Sequence, residues 1–154
     1  MGQLTESQIS TLEVSELPDA LALQKMAFMT EALLYGNYAL PPLEERFSEL
    51  QLEFSRKTFL KARVESTLVG VVRGFVRNAT GFVERLAVHP AYRGRGIGSS
   101  LVRSLETRLN TPRFELFTGS LSEDNLRLYE RIGYKRFAEC PLSATIQLVL
   151  MEKP

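Results

Sequence analysis

Three glycines and two arginines lie together just before a predicted helix. Residues 93–98 read Arg-Gly-Arg-Gly-Ile-Gly. Glycine lacks a Cβ atom, so a ligand can approach the backbone of Gly94, Gly96 and Gly98 closely. The first N–H groups of a helix have no partner within the helix and carry the positive end of its dipole. The segment therefore has the residue types of a phosphate-binding loop.

The elements on either side of this loop would hold it in place. Phe82–Val88 is short, mostly apolar and followed by Pro90, which predicts a buried strand. Apolar residues recur every four positions in Gly96–Asn110 and predict a helix whose buried side contains Ile97, Leu101, Leu105 and Leu109.

The glycine spacing argues against two common phosphate-binding loops. A dinucleotide fold has Gly-x-Gly-x-x-Gly, and a P-loop has a lysine followed by Ser or Thr. Here the order is Gly94-x-Gly96-x-Gly98, and the loop has no lysine. The alternative is a glycine-rich helix start that binds nothing, but each glycine would then lower the stability of the helix by about 1 kcal/mol with no function to offset the loss.

A second segment combines an amide and a phenol on one helix face. Residues 122–134 read Ser-Glu-Asp-Asn-Leu-Arg-Leu-Tyr-Glu-Arg-Ile-Gly-Tyr. Ser122 is a suitable N-cap and Gly133 a suitable end for the helix. Asn125 and Tyr129 lie one turn apart on the same face. Taken alone, Tyr129 is equally well read as a half-buried core residue.

Together the two segments resemble the GNAT superfamily of acetyl-CoA-dependent N-acetyltransferases. Arg93, Gly96 and Gly98 match its pyrophosphate loop, Gln/Arg-x-x-Gly-x-Gly/Ala, and residues 122–134 match its later helix, which ends Tyr-Glu-Lys-x-Gly-Phe. The chain departs from the family pattern at two places. Ser122 stands where the family usually has asparagine, and Asn125 stands where it usually has a small residue.

The resemblance implies an α/β fold of one domain, residues 1–154, with a GNAT-like mixed central β-sheet, an antiparallel N-terminal meander and about four flanking helices. The sequence pattern agrees with this order, and short turns at residues 65–67 and 78–80 join the meander strands. The predicted strands are near Gln8–Val14 and at Thr58–Val64, Leu68–Arg77, Gly81–Val88, Phe114–Thr118, Lys135–Ala138 and Ile146–Met151. The predicted helices before the loop are Pro18–Tyr35, with Leu21, Met26, Met29, Leu33 and Leu34 apolar, and Leu43–Phe54.

The resemblance also implies a chemistry, transfer of the acetyl group of acetyl-CoA to a primary amine by direct attack. Leu86, Ala87 and Val88 would pair with the pantetheine, and Asn125 would offer an amide to the cofactor. Tyr129 would be the general acid that protonates the departing thiolate. The pyrophosphate would lie against Arg93, Gly94, Arg95, Gly96, Ile97, Gly98 and Ser99.

Glu84 is the candidate general base, on an argument from the strand itself. On an uninterrupted strand it shares a face with Phe82, Leu86 and Val88, and apolar neighbours would raise the pKa of its carboxyl group. The alternative is an ion pair with Arg73 or Arg77 on the neighbouring strand, which would lower that pKa. Water chains can also replace a dedicated base.

Composition excludes several classes of protein. The chain has 154 residues, with 19 basic and 18 acidic side chains, so neither a general nucleic-acid surface nor a polyanionic partner is expected. Cys140 is the only cysteine and His89 the only histidine, so we expect no disulfide, no metal site and no catalytic thiol. No apolar run has the length of a signal or membrane span, so no membrane partner and a cytoplasmic location are expected.

The acceptor is left open by the residues. The Tyr35–Glu45 connector and the Ala138–Thr145 loop are expected beside it, and Tyr35, Tyr38, Glu44 and Glu45 are candidates to bind a cationic amine or ordinary surface residues. A small amine, an amino acid, an antibiotic and a protein N-terminus all remain open, as does a homodimer. The competing classes are a non-catalytic acyl-CoA-binding or regulatory module and, more weakly, an RNA-contacting protein that uses Arg93, Arg95 and Arg103.

Overall fold

Seven strands and five helices are present in residues 8–154, the part of the chain that the computed structural model describes. The strands form one sheet in the order β1-β2-β3-β4-β5-β7-β6. They are β1 (Ile9–Thr11), β2 (Thr58–Val64), β3 (Thr67–Arg77), β4 (Thr80–Val88), β5 (Arg113–Gly119), β6 (Lys135–Pro141) and β7 (Gln147–Lys153). The helices are α1 (Leu17–Tyr35), α2 (Pro41–Glu44), α3 (Phe47–Arg56), α4 (Ile97–Leu109) and α5 (Glu123–Arg131).

The predicted mixed α/β sheet with an antiparallel meander is confirmed. Strands β1 to β4 pair antiparallel with their sequence neighbours. Glu65 turns the chain from β2 to β3 with a φ of +57°, and Asn78 and Ala79 turn it from β3 to β4 with φ of +50° and +63°. Residues with positive φ are common in tight hairpin turns, because the backbone twist of such a turn matches the right-handed twist of the two strands that it joins.

Helix α4 covers one face of the sheet, and α1 with α3 covers the other. Ile97, Leu101 and Leu105 of α4 are buried, as predicted, and Leu109 is partly buried. Each fully buried side chain of this kind contributes roughly 1.5–3 kcal/mol to folding. Burial along α4 therefore fixes where its first turn lies relative to β4.

Helix α1 packs against the sheet mainly through alanine and leucine side chains. Ala20, Ala27 and Ala32 are buried, with Leu17, Leu23 and Gln24. Met26, Met29, Leu33 and Leu34 are instead 45–67% exposed. The helix is apolar on several sides, so periodicity alone does not identify the side that packs.

The predicted helix Leu43–Phe54 is interrupted, which brings the helix count to five within residues 8–154. Glu45 and Arg46 are extended and separate α2 from α3. The interruption turns the Glu45 side chain inward, where Arg73 binds it. Burial of an ion pair has displaced two residues from helical geometry.

Strands β4 and β5 form the parallel pair of the sheet, and they pair over a short length. Only Thr80–Phe82 of β4 has partners in β5, at residues 113–115. Beyond this point the two strands diverge. Residues 83–88 still pair with β3 on one side, but their edge that faces β5 has no strand partner among the described residues. The divergence opens a gap in the middle of the sheet.

No helix within residues 8–154 is both long enough and apolar enough to cross a bilayer. The single domain over residues 1–154 stays a prediction, since its first seven residues lie outside the described range.

Candidate active site

A cavity of about 790 Å³ lies where the sheet opens, bounded by α1, β4, α4 and α5. Every predicted cofactor-binding residue except Arg95 lines it. These residues are Leu86, Ala87, Val88, Arg93, Gly94, Gly96, Ile97, Gly98, Ser99 and Asn125. Their roles toward a ligand stay predictions, but the fold brings them to one place.

The glycine loop gives the cavity a wall of backbone amides. Gly94 and Gly96 have φ of +77° and +80°, in the left-handed region that glycine adopts without strain. Gly96 precedes the first turn of α4, and no side chain within residues 8–154 caps that turn. The N–H groups of Ile97, Gly98 and Ser99 therefore remain free to bind an anion.

The two arginines of the loop have structural contacts. Arg93 donates hydrogen bonds to Thr30 Oγ1 (2.8 Å) and to the carbonyl of Ala27 (2.9 Å), which fasten the loop to α1. The Arg95 guanidinium lies over the Tyr92 ring, 4.9 Å from its centroid. Arg95 itself does not line the cavity, although Tyr92 does, and its predicted role toward the pyrophosphate stays a prediction.

Three further arginines line the cavity from the two helices beyond the loop, namely Arg103, Arg127 and Arg131. Arg127 pairs with Asp124 (2.5 Å), whereas Arg103 and Arg131 form no ion pair with any described residue. The sequence carried a signal for this, since Arg127 and Arg131 are four residues apart and share one face of α5. These side chains add positive charge beside the free amides.

A β-bulge at Arg85 places Glu84 on the opposite face of the sheet from Leu86. Arg85 has a φ of +54°, and the β3–β4 register shifts by one residue between Val71 and Arg73. The prediction of an uninterrupted strand is therefore wrong. The bulge separates Glu84 from the face that carries Leu86 and turns it toward Arg73.

Glu84 belongs to a partly buried cluster of charged side chains outside the cavity. It accepts hydrogen bonds from Lys57 Nζ (2.6 Å) and Arg73 Nε (3.4 Å). Lys57 also pairs with Glu53, and Arg73 binds Glu45 through both guanidinium nitrogens at 3.0 and 3.1 Å. The predicted role of Glu84 as a base stays a prediction, and its contacts favour the ion-pair alternative.

The pKa values of this cluster follow from its charges. Burial by itself raises the pKa of Glu45, but hydrogen bonds from Arg73 and Gln24 lower it overall. Burial, together with the neighbouring Arg73, lowers the pKa of Arg85, whose Nη1 is buried without a hydrogen-bond partner among the described residues. The lowered pKa of Glu45 means that its carboxylate is ionised at neutral pH opposite Arg73.

Tyr129 lies in the core at the end of α5, 7% exposed, and its ring makes an edge contact with Tyr134. Burial raises the pKa of its phenol, and the negative charge of Glu31 raises it further. The group is therefore protonated at neutral pH. Its role as general acid stays a prediction.

Glu31 was not among the predicted site residues, although it lines the cavity and organises a polar network at its end. It accepts hydrogen bonds from Ser122 Oγ (2.5 Å) and Asn125 Nδ2 (3.4 Å). Asn125 also contacts Thr118 Oγ1 at 3.4 Å. No sequence signal marks Glu31, because its partners lie more than ninety residues away along the chain.

The connector expected near the acceptor packs against β7. Leu40 is buried with Ala32 and Ile146, and Tyr35 packs against this group. Tyr38 is 59% exposed, and Glu45 lies in the charge cluster described above. The predicted loop Ala138–Thr145 is shorter than expected, because β6 continues to Pro141.

The remaining candidates for chemistry are outside the cavity. His89 accepts a hydrogen bond from Ala91 N (3.1 Å), and Cys140 is exposed. Within residues 8–154 no three His, Cys, Asp or Glu side chains are grouped as metal ligands.

Solved structures with this fold include three acetyltransferase-related proteins. The PaiA N-acetyltransferase of Thermoplasma acidophilum, in complex with coenzyme A, is 19% identical with a TM-score of 0.77, over 94% of this chain and 96% of that one. The ribosomal-protein-S18-alanine N-acetyltransferase of Escherichia coli is 18% identical with a TM-score of 0.74, over 95% and 92%. The yncA protein of Salmonella typhimurium, with its cofactor acetyl-CoA, is 16% identical with a TM-score of 0.71, over 94% and 91%.

At these identities the three structures establish the shared fold. The sequence itself matches the family model described as acetyltransferase (GNAT) family over residues 24–134, a stretch that contains both the glycine loop and the Tyr129 helix. The chain belongs to the GNAT acetyltransferase family.

Proposed function

We propose that this protein transfers an acetyl group from acetyl-CoA to a primary amine of an acceptor. The observation that carries the proposal is the continuity of the cavity. It runs from the free amides at the start of α4 to the unpaired edge of β4 and on to the polar network of Glu31 and Asn125, with Tyr129 buried one turn further along α5. A phosphate group, an extended chain and a reacting centre would each find a suitable surface along it.

The fit to acetyl-CoA is one of chemistry. The pyrophosphate would accept hydrogen bonds from the amides of Ile97, Gly98 and Ser99. The unpaired cations Arg103 and Arg131 would neutralise its charge. The pantetheine would pair with the backbone of residues 86–88 as an added strand.

In the proposed reaction the neutral amine nitrogen attacks the thioester carbonyl, so that a C–N bond forms and the C–S bond breaks. Tyr129 gives its phenolic proton to the departing thiolate and regains one from the nitrogen, which leaves an amide and a thiol. The raised pKa of Tyr129 keeps the phenol protonated before the reaction. One side chain thus serves both proton transfers.

Cofactor binding is tested with Gly96→Glu, which places bulk and negative charge beside the free amides. Calorimetry should show acetyl-CoA affinity reduced by at least about 100-fold, while the circular dichroism spectrum is unchanged. Gly96→Gln is the matched control, since it has the same size and the same left-handed backbone position without the charge. Undiminished binding by Gly96→Glu would place the cofactor elsewhere.

Catalysis is tested with Tyr129→Phe in a thiol-release assay with acetyl-CoA and a panel of primary amines. Turnover should fall by about 10²–10⁴-fold, with acetyl-CoA affinity little changed. Unchanged turnover would make Tyr129 a packing residue. If the wild-type protein binds acetyl-CoA but releases no thiol with any amine, the acyl-CoA-binding module becomes the better assignment.

A further inference from the structure

Glu31 is a half-buried carboxylate at the cavity that has no cationic partner within residues 8–154. The other inward carboxylates contrast with it, because Glu16, Glu45 and Glu84 are each paired with Lys or Arg. The nearby loop cation, Arg93, is committed to the hydroxyl of Thr30 and a backbone carbonyl. A carboxylate that is partly removed from water and has no cation beside it is a suitable site for a cationic ligand.

A directional chain of hydrogen bonds holds this carboxylate in place. The hydroxyl of Ser122 has a single hydrogen, which it donates to Glu31. Tyr35 must then donate its own hydrogen to Ser122 Oγ, at 2.8 Å, and its oxygen accepts from the Leu121 N–H at 3.0 Å. Every donor in the chain is directed toward Glu31.

The backbone around this chain is shaped to admit it. A Cβ atom at Gly119 would lie 1.9 Å from the Tyr35 hydroxyl oxygen, so any other residue there would expel the phenol. Gly119, the last residue of β5, therefore leaves room for the Tyr35 hydroxyl group. Tyr35 in turn holds Ser122, and Ser122 orients Glu31.

The Glu31 carboxylate lines the cavity and keeps free capacity to accept hydrogen bonds. Two hydrogen bonds leave about two of the roughly four lone-pair sites of a carboxylate without a donor. Glu31 binds Asn125, which lies one helical turn before Tyr129 in α5, so the carboxylate lies near the end of α5 that carries Tyr129. A primary ammonium group carries three N–H donors and the missing positive charge.

From this geometry we infer that Glu31 binds the ammonium group of the acceptor, which releases one proton to solvent before the resulting neutral amine attacks, so that the site selects cationic primary amines over neutral acceptors. The inference rests on the proposed function and names its acceptor class. Ser122, Asn125 and Tyr35 are positioning residues, which act by orienting Glu31.

The test is a titration of ¹⁵N-labelled, CoA-loaded protein with ethylammonium chloride at neutral pH, with sodium chloride at equal ionic strength as the reference. The wild-type protein should show saturable shifts of the Ser122 and Asn125 amide signals. Glu31→Gln should weaken ethylammonium binding by at least about tenfold, as expected for loss of a charged hydrogen-bond acceptor, with CoA affinity unchanged. Glu123→Gln, an exposed change in the same region with the same chemistry, should bind as the wild-type protein does.

Ser122→Ala provides a second variant should Glu31→Gln fold poorly, because it keeps the carboxylate and removes its orienting hydroxyl. It should weaken ethylammonium binding by a smaller factor, and in turnover assays raise KM for cationic amines more than it lowers kcat. Equal affinity in wild-type protein and Glu31→Gln, or no saturable shift in the wild-type protein, would overturn the inference. Failure of CoA itself to bind would instead overturn the proposed function.

Discussion

Replacing Glu84 with glutamine separates its two predicted roles. Glutamine keeps the size and one acceptor oxygen of glutamate, but it has no charge and cannot act as a base. The structure predicts a modest loss of stability, because each cation that Glu84 binds keeps a second carboxylate. Lys57 keeps Glu53, and Arg73 keeps both bonds to Glu45.

The magnitude follows from what remains unpaired. A cation left alone in the interior costs about 3–5 kcal/mol, but here none is left alone, so we expect Glu84→Gln to lower the free energy of unfolding by about 1–2 kcal/mol. Glu45→Gln is the internal comparison. Arg73 is 3% exposed and would lose its bidentate partner while keeping the longer contacts to Glu84 and Glu53, so this variant should lose more than Glu84→Gln, about 2–3 kcal/mol.

Urea unfolding at pH 7 measures both losses, and the pH–rate profile of Glu84→Gln measures the catalytic role. We expect the acidic limb of that profile to be retained. Its disappearance, with the maximal rate reduced, would identify Glu84 as the base and refute the ion-pair reading. Equal losses of stability in Glu84→Gln and Glu45→Gln would show that Arg73 does not depend on Glu45 more strongly than on Glu84.

Three further predictions concern stability. Hydrogen bonds from Lys61 and Arg63 outweigh burial and lower the pKa of Glu16 from 4.5 to about 2, so its contribution to folding stability is complete above pH 4.5 and is lost as the pH falls toward 2. After allowance for solvent around Arg63, Glu16→Gln should lower the free energy of unfolding by about 1–3 kcal/mol at pH 7 and leave it unchanged near pH 2, as measured by urea titration. A loss of stability that is the same at both pH values would contradict the pairing. Leu101→Ala, at a fully buried site, should cost about 2–5 kcal/mol in the same assay, and a loss below 1 kcal/mol would contradict its place in the core. Acetyl-CoA at 100 times its Kd should raise the free energy of unfolding of the wild-type protein by about 2.7 kcal/mol, and the absence of any rise would show that the folded protein does not bind it.

Local pattern was sufficient for the meander and the glycine loop. The bounds of β2 are the predicted ones, and α4 begins and ends within one residue of the predicted helix. These elements combine strong periodicity with glycine or turn residues at their ends, so their positions depend on neighbouring residues.

Features that depend on distant partners were missed. The bulge at Arg85 arises from the register between β3 and β4, and alternation within β4 contains no sign of it. The packed side of α1 is decided by how closely Ala20 and Ala27 approach the sheet, and Glu31 becomes a site residue only because Ser122 reaches it from α5. Such contacts are properties of the assembled fold.

The short parallel pairing of β4 with β5 also bears on how the molecule opens. It divides the sheet into two antiparallel ribbons, β1–β4 and β5–β7, whose direct backbone bonding is confined to three residue pairs at one end. Breaking so few bonds requires less free energy than unravelling either ribbon, so fluctuations should concentrate at this seam. A ligand that bonds to β4 and also touches α5 would fasten the opposite end. Amide exchange along residues 83–88 and 116–119 should then slow together when it binds, although the ligand contacts only one of the two strands through its backbone.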